Sequence, residues 1–138
     1  MQDTQESMKP TILVVDDEPS VLTYIAGVLA KAGYRVLSAH SAAAAIELFD
    51  RHEGCVHLLL TDVVMPGMNG PDLAQELQRR KPDLPVLFIA GLPDSAVIRQ
   101  GVLARGMRLL PKPFLPPDLK HAVGIALGPL CAATAAGR

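Results

Sequence analysis

Three acids and one base stand out by where they fall in the chain. Asp16 and Asp17 close the run TILVVD, Asp62 closes VHLLLT, and Lys112 follows RLLP. Short aliphatic and β-branched runs that end abruptly in a charge read as buried strands. If those strands are parallel, their ends lie along one edge of a sheet. Where the connections leave for opposite faces, that edge opens into a crevice for ligands. Gathering acids there is costly, since two carboxylates about 4 Å apart repel by roughly 4 kcal/mol at an effective dielectric near 20. A hard divalent cation, Mg²⁺ or Mn²⁺, removes the repulsion. Mg²⁺ takes a few carboxylate oxygens, keeps several waters and accepts phosphate oxygen readily. Lys112 adds a compact cation suited to phosphate. A carboxylate in such surroundings can take a phosphoryl group as an acyl phosphate, with its charge stabilised by the neighbouring cations. Taken singly, Asp16–Asp17 could be a helix N-terminal acid pair and Lys112 a solvated surface lysine; their joint placement favours a site.

The elements that must position these residues alternate along the chain. The strand Thr11–Asp16 leads through Glu18 and Pro19 into a helix with Val21, Leu22, Ile25, Val28, Leu29 and Ala32 at helical spacing, closed by Gly33. A shorter strand spans Tyr34–Ala39, and Ser41 caps a helix through Phe49. The third strand, Val56–Thr61, ends at Asp62, and a Pro/Gly-rich loop, Val63–Gly70, leads to a helix opened by Pro71 and ended before Pro82. The fourth strand is Pro85–Ala90. Asp94 or Ser95 then caps a helix carrying Val97, Ile98, Val102 and Leu103. Arg108–Leu110 forms the fifth strand, and Pro116–Pro117 start a last helix with Leu119, Val123 and Leu127. Five strand–helix alternations predict a doubly wound α/β domain, a parallel five-stranded sheet between two layers holding five helices. Residues 1–9 read as a loose arm, 10–127 as the domain and 128–138 as a loose Ala/Gly-rich tail.

Composition excludes several alternatives. In 138 residues the hydrophobic share is 49% with aromatics only 4%, so the core is aliphatic, as suits buried parallel strands. A net charge of −1 gives no general case for nucleic acid or an anionic membrane. No apolar run approaches the roughly 18 residues of a membrane span. Cys55 and Cys131 lack metal-ligand spacing and read as reduced thiols in a cytoplasmic protein. The four histidines show no i, i+4 pair. His57, inside a strand, reads as structural rather than as a proton relay. The basic run Arg79–Lys81 reads as a solvated helix end, and MPGMNG as a turn cluster or a Met-bearing recognition surface.

ILVVDDEPSV, LLLTDVVMPGMNG and LLPKPF, in that order and on those elements, resemble the receiver domains of two-component response regulators from about Lys9 to Leu127. The resemblance implies a flavodoxin-like sheet of strand order 2-1-3-4-5. It implies Asp62 as phosphoacceptor, with Asp17 a direct metal ligand, Asp16 acting through a metal-bound water, and Asp62 and the Val64 backbone carbonyl also ligating. Lys112 would contact the phosphoryl group, and Lys112–Pro113 would be a cis peptide. A histidine kinase or phosphotransfer protein would be the donor, and a downstream protein target the listener.

Two positions depart from the family. Ala90 stands where Thr or Ser normally bonds the phosphoryl oxygen, and Leu109 stands where an aromatic switch residue is common. A hydrogen bond to a charged group is worth roughly 1.5–3 kcal/mol, and that pull on the following loop is missing. The backbone N–H groups of Ala90 and Gly91 are the expected substitutes. Val64 and Leu92, both apolar, flank the path of an attacking water, so self-dephosphorylation is expected to be slow. Three other readings compete. One is an interaction module independent of phosphorylation, and another is a receiver piece of a hybrid sensor kinase. The third, an aspartate-nucleophile phosphohydrolase, is disfavoured because Val64 replaces the second acid of a D-x-D pattern. A dinucleotide site lacks its G-x-G-x-x-G.

Overall fold

The computed structural model describes residues 9–52, 55–90 and 108–136, with residues 129–136 described by backbone alone. Five strands form one parallel sheet: β1 (Thr11–Val15), β2 (Arg35–Ala39), β3 (Leu58–Asp62), β4 (Val86–Ala90) and β5 (Arg108–Pro111), in the spatial order β2-β1-β3-β4-β5. Four helices lie among the described residues: α1 (Pro19–Lys31), α2 (Ala42–Arg51), α3 (Gly70–Arg80) and α4 (Pro116–Ala136). The expected helix of Asp94 to Leu103 lies outside the described residues.

Successive residues of each central strand serve opposite faces, as pleating requires. Leu13, Val15, Leu59, Phe88 and Ala90 join α2 and α3 in one buried cluster. Ile12, Val14, Leu58, Leu60, Leu87 and Ile89 join α1 and α4 in the other. With both faces covered, β1, β3 and β4 are buried at every position, which is why they read as nearly continuous apolar runs.

Helix ends follow local chemistry. Pro19 opens α1 without a side-chain cap, and Gly33 turns the chain beyond it at φ 99°, where a Cβ would be strained. The Ser41 hydroxyl accepts the Ala44 N–H, and the Asn69 side chain accepts the Asp72 N–H. Gly128 interrupts α4 at φ 54° and ψ −134°, one residue past the expected helix end, and helical backbone then runs on to Ala136.

β3 begins at Leu58 rather than Val56, and its approach is held partly by side chains. The Lys81 ammonium donates to the Val56 carbonyl at 2.7 Å. The His57 N–H donates to the Thr11 carbonyl at 2.8 Å, and the Thr11 N–H donates back to His57 Nδ1 at 2.9 Å. His57 is thus structural. Burial, then the Lys81 charge, holds its pKa below that of a free histidine. Acid therefore protonates this imidazole in the unfolded chain first. The stability it supports is complete above about pH 6.5 and drains away as pH falls towards the lower folded value. His57→Asn keeps an acceptor but does not titrate. Between pH 7.5 and 5.5 the wild-type melting midpoint will fall about 3 °C further than that of the variant; equal falls in thermal melts would discount the bond.

Candidate phosphoacceptor site

Register alone brings the acids together. Val15 pairs with Thr61, so Asp16 leaves β1 level with Asp62, and Asp62 pairs with Ile89 of β4. Lys112 follows Pro111, which pairs with Ala90. Strands are spaced about 4.8 Å apart, so only a long side chain on β5 can cross β4 to reach β3 and β1. Lys112 does so: its Nζ lies 3.4 Å from Asp16 Oδ2 and 3.4 Å from Asp62 Oδ2. The Lys112 N–H donates to the Ala90 carbonyl at 2.8 Å, and Lys112–Pro113 is cis, as expected.

The three acids sit in different surroundings. Asp16 is fully buried and uses its other oxygen, Oδ1, to accept the Glu18 N–H at 2.9 Å. Asp62 is 8% exposed, and Asp17 is exposed. One oxygen from each lies within 4.8 Å of the others. Burial, then the Asp16 charge, pushes the Asp62 carboxyl above the ordinary carboxylate range, with Lys112 opposing and Asp17 adding. Burial works against the Lys112 ammonium, but attraction from Asp62 and Asp16 prevails and its pKa is raised.

Three carboxylates and one ammonium give this pocket a net charge of −3 + 1 = −2 when all are ionised, which one divalent cation neutralises. Ligand oxygens around Mg²⁺ stand about 3 Å apart when adjacent and about 4.2 Å when opposite, from metal–oxygen distances near 2.1 Å. The observed spread is slightly wider than that. Small side-chain rotations, or one water between an acid and the ion, fit the donor set to such a cation. Val64 lies two residues beyond Asp62 and is 48% exposed.

A family profile for the response regulator receiver domain matches residues 12–124. The chain belongs to that family. As a receiver domain it is 35% identical over 112 residues to the response regulator receiver protein CpdR of Brucella abortus, covering 81% of this chain and 92% of CpdR. It is 36% identical over 111 residues to the sensor kinase CckA of the same organism, covering 80% of this chain but 12% of CckA. Its fold matches a receiver domain protein from Clostridium thermocellum at TM-score 0.78 and 28% identity, over 90% of this chain and 98% of that one.

The receiver fold also locates the two departures. Ala90 is 5% exposed at the end of β4, and it shares its cluster with the partly buried Leu109, which pairs with Phe88. Where a hydroxyl and an aromatic ring would stand there are only aliphatic groups. The Ala90 carbonyl is turned to β5 by the Lys112 N–H. An extended residue points its N–H to the same side as its carbonyl, so the expected Ala90 N–H contact to phosphate is not favoured. Gly91 and Leu92 lie outside the described residues.

Met65, 6% exposed, packs into the core with Met68 beside it, so the MPGMNG methionines serve packing. Arg80 is more than a solvated helix end: it bridges Asp50 of α2 at 2.7 Å and Glu76 at 3.0 Å. Cys55 is exposed with a free thiol. No described helix is long and apolar enough to cross a membrane.

Sequence reasoning missed Gly70. Its N–H donates to the Val63 carbonyl at 2.8 Å, one residue past Asp62. The only signal was its place between a Pro/Gly-rich loop and a helix.

Proposed function

We propose that the chain is a phosphoacceptor that takes a phosphoryl group on Asp62, in a Mg²⁺-dependent reaction, from a phosphohistidine of a histidine kinase or phosphotransfer protein. The observation that carries this reading is the convergence of Asp16, Asp17, Asp62 and Lys112. An Asp62 carboxylate oxygen bonds to phosphorus, the phosphorus–nitrogen bond breaks, and the departing imidazole takes a proton from water. Asp17 and Asp62 would hold the metal directly with the Val64 carbonyl, and Asp16 through water. Mg²⁺, or Mn²⁺, supplies charge neutralisation at the transferring group. Lys112 would meet the phosphoryl oxygens from the opposite side. Output would pass through contacts with a downstream protein in the cytoplasm. The chain would catalyse nothing beyond its own transfer and slow loss of the group. The reading is the same whether the domain works as a separate regulator or within a larger sensor kinase.

The apolar Ala90–Leu109 pair supports a second reading, an interaction module indifferent to phosphorylation. One experiment separates the two. The protein is incubated with acetyl phosphate in Mg²⁺ and in chelator, and peptide mass spectrometry locates any adduct. The phosphoacceptor reading expects a Mg²⁺-dependent adduct at Asp62 that persists for minutes or longer after donor removal. An unmodified protein in both buffers would overturn it, and decay within seconds would contradict the slow-loss expectation.

A further inference from the structure

The turn after Asp62 closes on one small residue. A Cβ on Gly70 would overlap the Asp62 carbonyl oxygen and stand 3.0 Å from Val63 Cα and 3.1 Å from the Asp62 carbonyl carbon. All three are backbone atoms, which cannot swing aside as a side-chain end can. They are also held from behind. The Asp62 carbonyl accepts the Thr61 hydroxyl at 3.0 Å, the Val63 N–H donates to the Ile89 carbonyl at 2.9 Å, and Asp62 pairs with Ile89. The helix cannot lift easily either, because Leu73, Ala74 and Leu77 anchor α3 with no exposure. Gly33 and Gly67 carry positive φ values, whereas Gly70 does not. Its requirement is therefore space, not a left-handed backbone.

We propose that Gly70 is a positioning residue for the phosphoacceptor. The bare Cα lets the first turn of α3 press against the Asp62 backbone, and that fixes where the carboxylate stands relative to Asp16, Asp17 and Lys112. Only two rotatable bonds separate that carboxylate from its backbone, so a shift of the backbone carries it along. Relieving the overlap to ordinary contact requires about 1 Å of movement. A misplacement of that size can slow a reaction by about 10²-fold. The role rests on the reading of Asp62 as phosphoacceptor.

The test compares wild type, Gly70→Ala and Ile12→Val, a cavity control near the opposite end of the sheet. Each is assayed metal-free for its melting midpoint and its Asp62 and Val63 amide shifts, then for Mg²⁺ affinity by calorimetry, then for acetyl phosphate labelling at saturating Mg²⁺. Gly70→Ala is expected to move both amide signals, weaken Mg²⁺ binding about fivefold and slow labelling about 10²-fold. Ile12→Val should lower the midpoint and leave binding and labelling unchanged. Wild-type affinity and labelling in Gly70→Ala, or equal losses in Ile12→Val, would overturn the role. If Gly70→Ala does not fold, Asn69→Ala carries the test. It frees the first turn by removing the acceptor of the Asp72 N–H without adding an atom near Asp62. It should slow labelling about threefold, and no change overturns the proposal. A wild type that takes no phosphoryl group defeats the phosphoacceptor reading and this role with it. A wild type that labels beside an unaffected Gly70→Ala defeats the role alone.

Discussion

Phosphoryl transfer to Asp62 will slow by about 10²-fold when Lys112 is replaced by alanine, and the metal-free protein will lose about 1–3 kcal/mol of stability at neutral pH. Both effects have one source. The ammonium stands 3.4 Å from each of two acids, longer than the 2.7–2.9 Å of an optimal charged pair. It is shared between them, and under the proposed phosphoacceptor function it would turn towards the phosphoryl oxygens. Without it, fully buried Asp16 loses the partner of Oδ2, and three carboxylates face one another with no counter-charge. The stability loss should shrink in Mg²⁺, and also in acid, where Asp62 takes a proton and one of the opposing charges disappears. Denaturant titrations at pH 7 and pH 4.5, with and without Mg²⁺, read the stability loss, and a labelling time course reads the slowed transfer. A stability gap of constant size under all four conditions would assign Lys112 to packing of its aliphatic stem instead.

Asp62→Asn will take no phosphoryl group and will melt about 3–6 °C above wild type in metal-free buffer at pH 7. The sign follows from the raised Asp62 pKa, caused first by burial and then by Asp16. The folded state holds the proton more tightly than the unfolded chain, so ionising Asp62 in the fold costs stability at every pH above that window. Asparagine removes the charge and keeps the shape. Lys112 retains Asp16 as its partner. The advantage should vanish below about pH 4, where both states of the wild type are protonated, and should reverse in saturating Mg²⁺, which the variant binds less well. Calorimetric melts across pH, with and without the metal, check each limb. A variant less stable than wild type in chelator at pH 7 would show that the Lys112–Asp62 attraction outweighs the strain among the acids.

The fold was legible because burial on both faces writes itself into sequence. TILVV, LLLTD and VLFIA are nearly continuous apolar runs without alternation, the pattern of strands covered on both faces in a parallel sheet. The three acids could be found because Asp16 and Asp17 follow the first of those runs and Asp62 ends the second. Their convergence could be argued from topology, but their roles came from resemblance to a family. What lay hidden was contact between distant backbones and side chains. Val56 and His57 read as strand residues, yet Lys81 and Thr11 hold them in place just before β3. Arg80 read as a dipole partner, yet Asp50 of the neighbouring helix faces it. Gly70 read as the end of a loop, because nothing in one dimension shows how near the Asp62 carbonyl lies.

β5 is an edge strand, with β4 its only ladder neighbour among the described residues, and Lys112 is carried at its end. That one side chain ties the rim of the sheet to two acids at its centre. A protein that grips the β5 edge and shifts it therefore moves the ammonium, altering how strongly the pocket holds an anion. Thermodynamic reciprocity demands the converse: an anion captured at the centre strengthens or weakens the grip at the rim by the same factor, with no hydroxyl or aromatic ring in between.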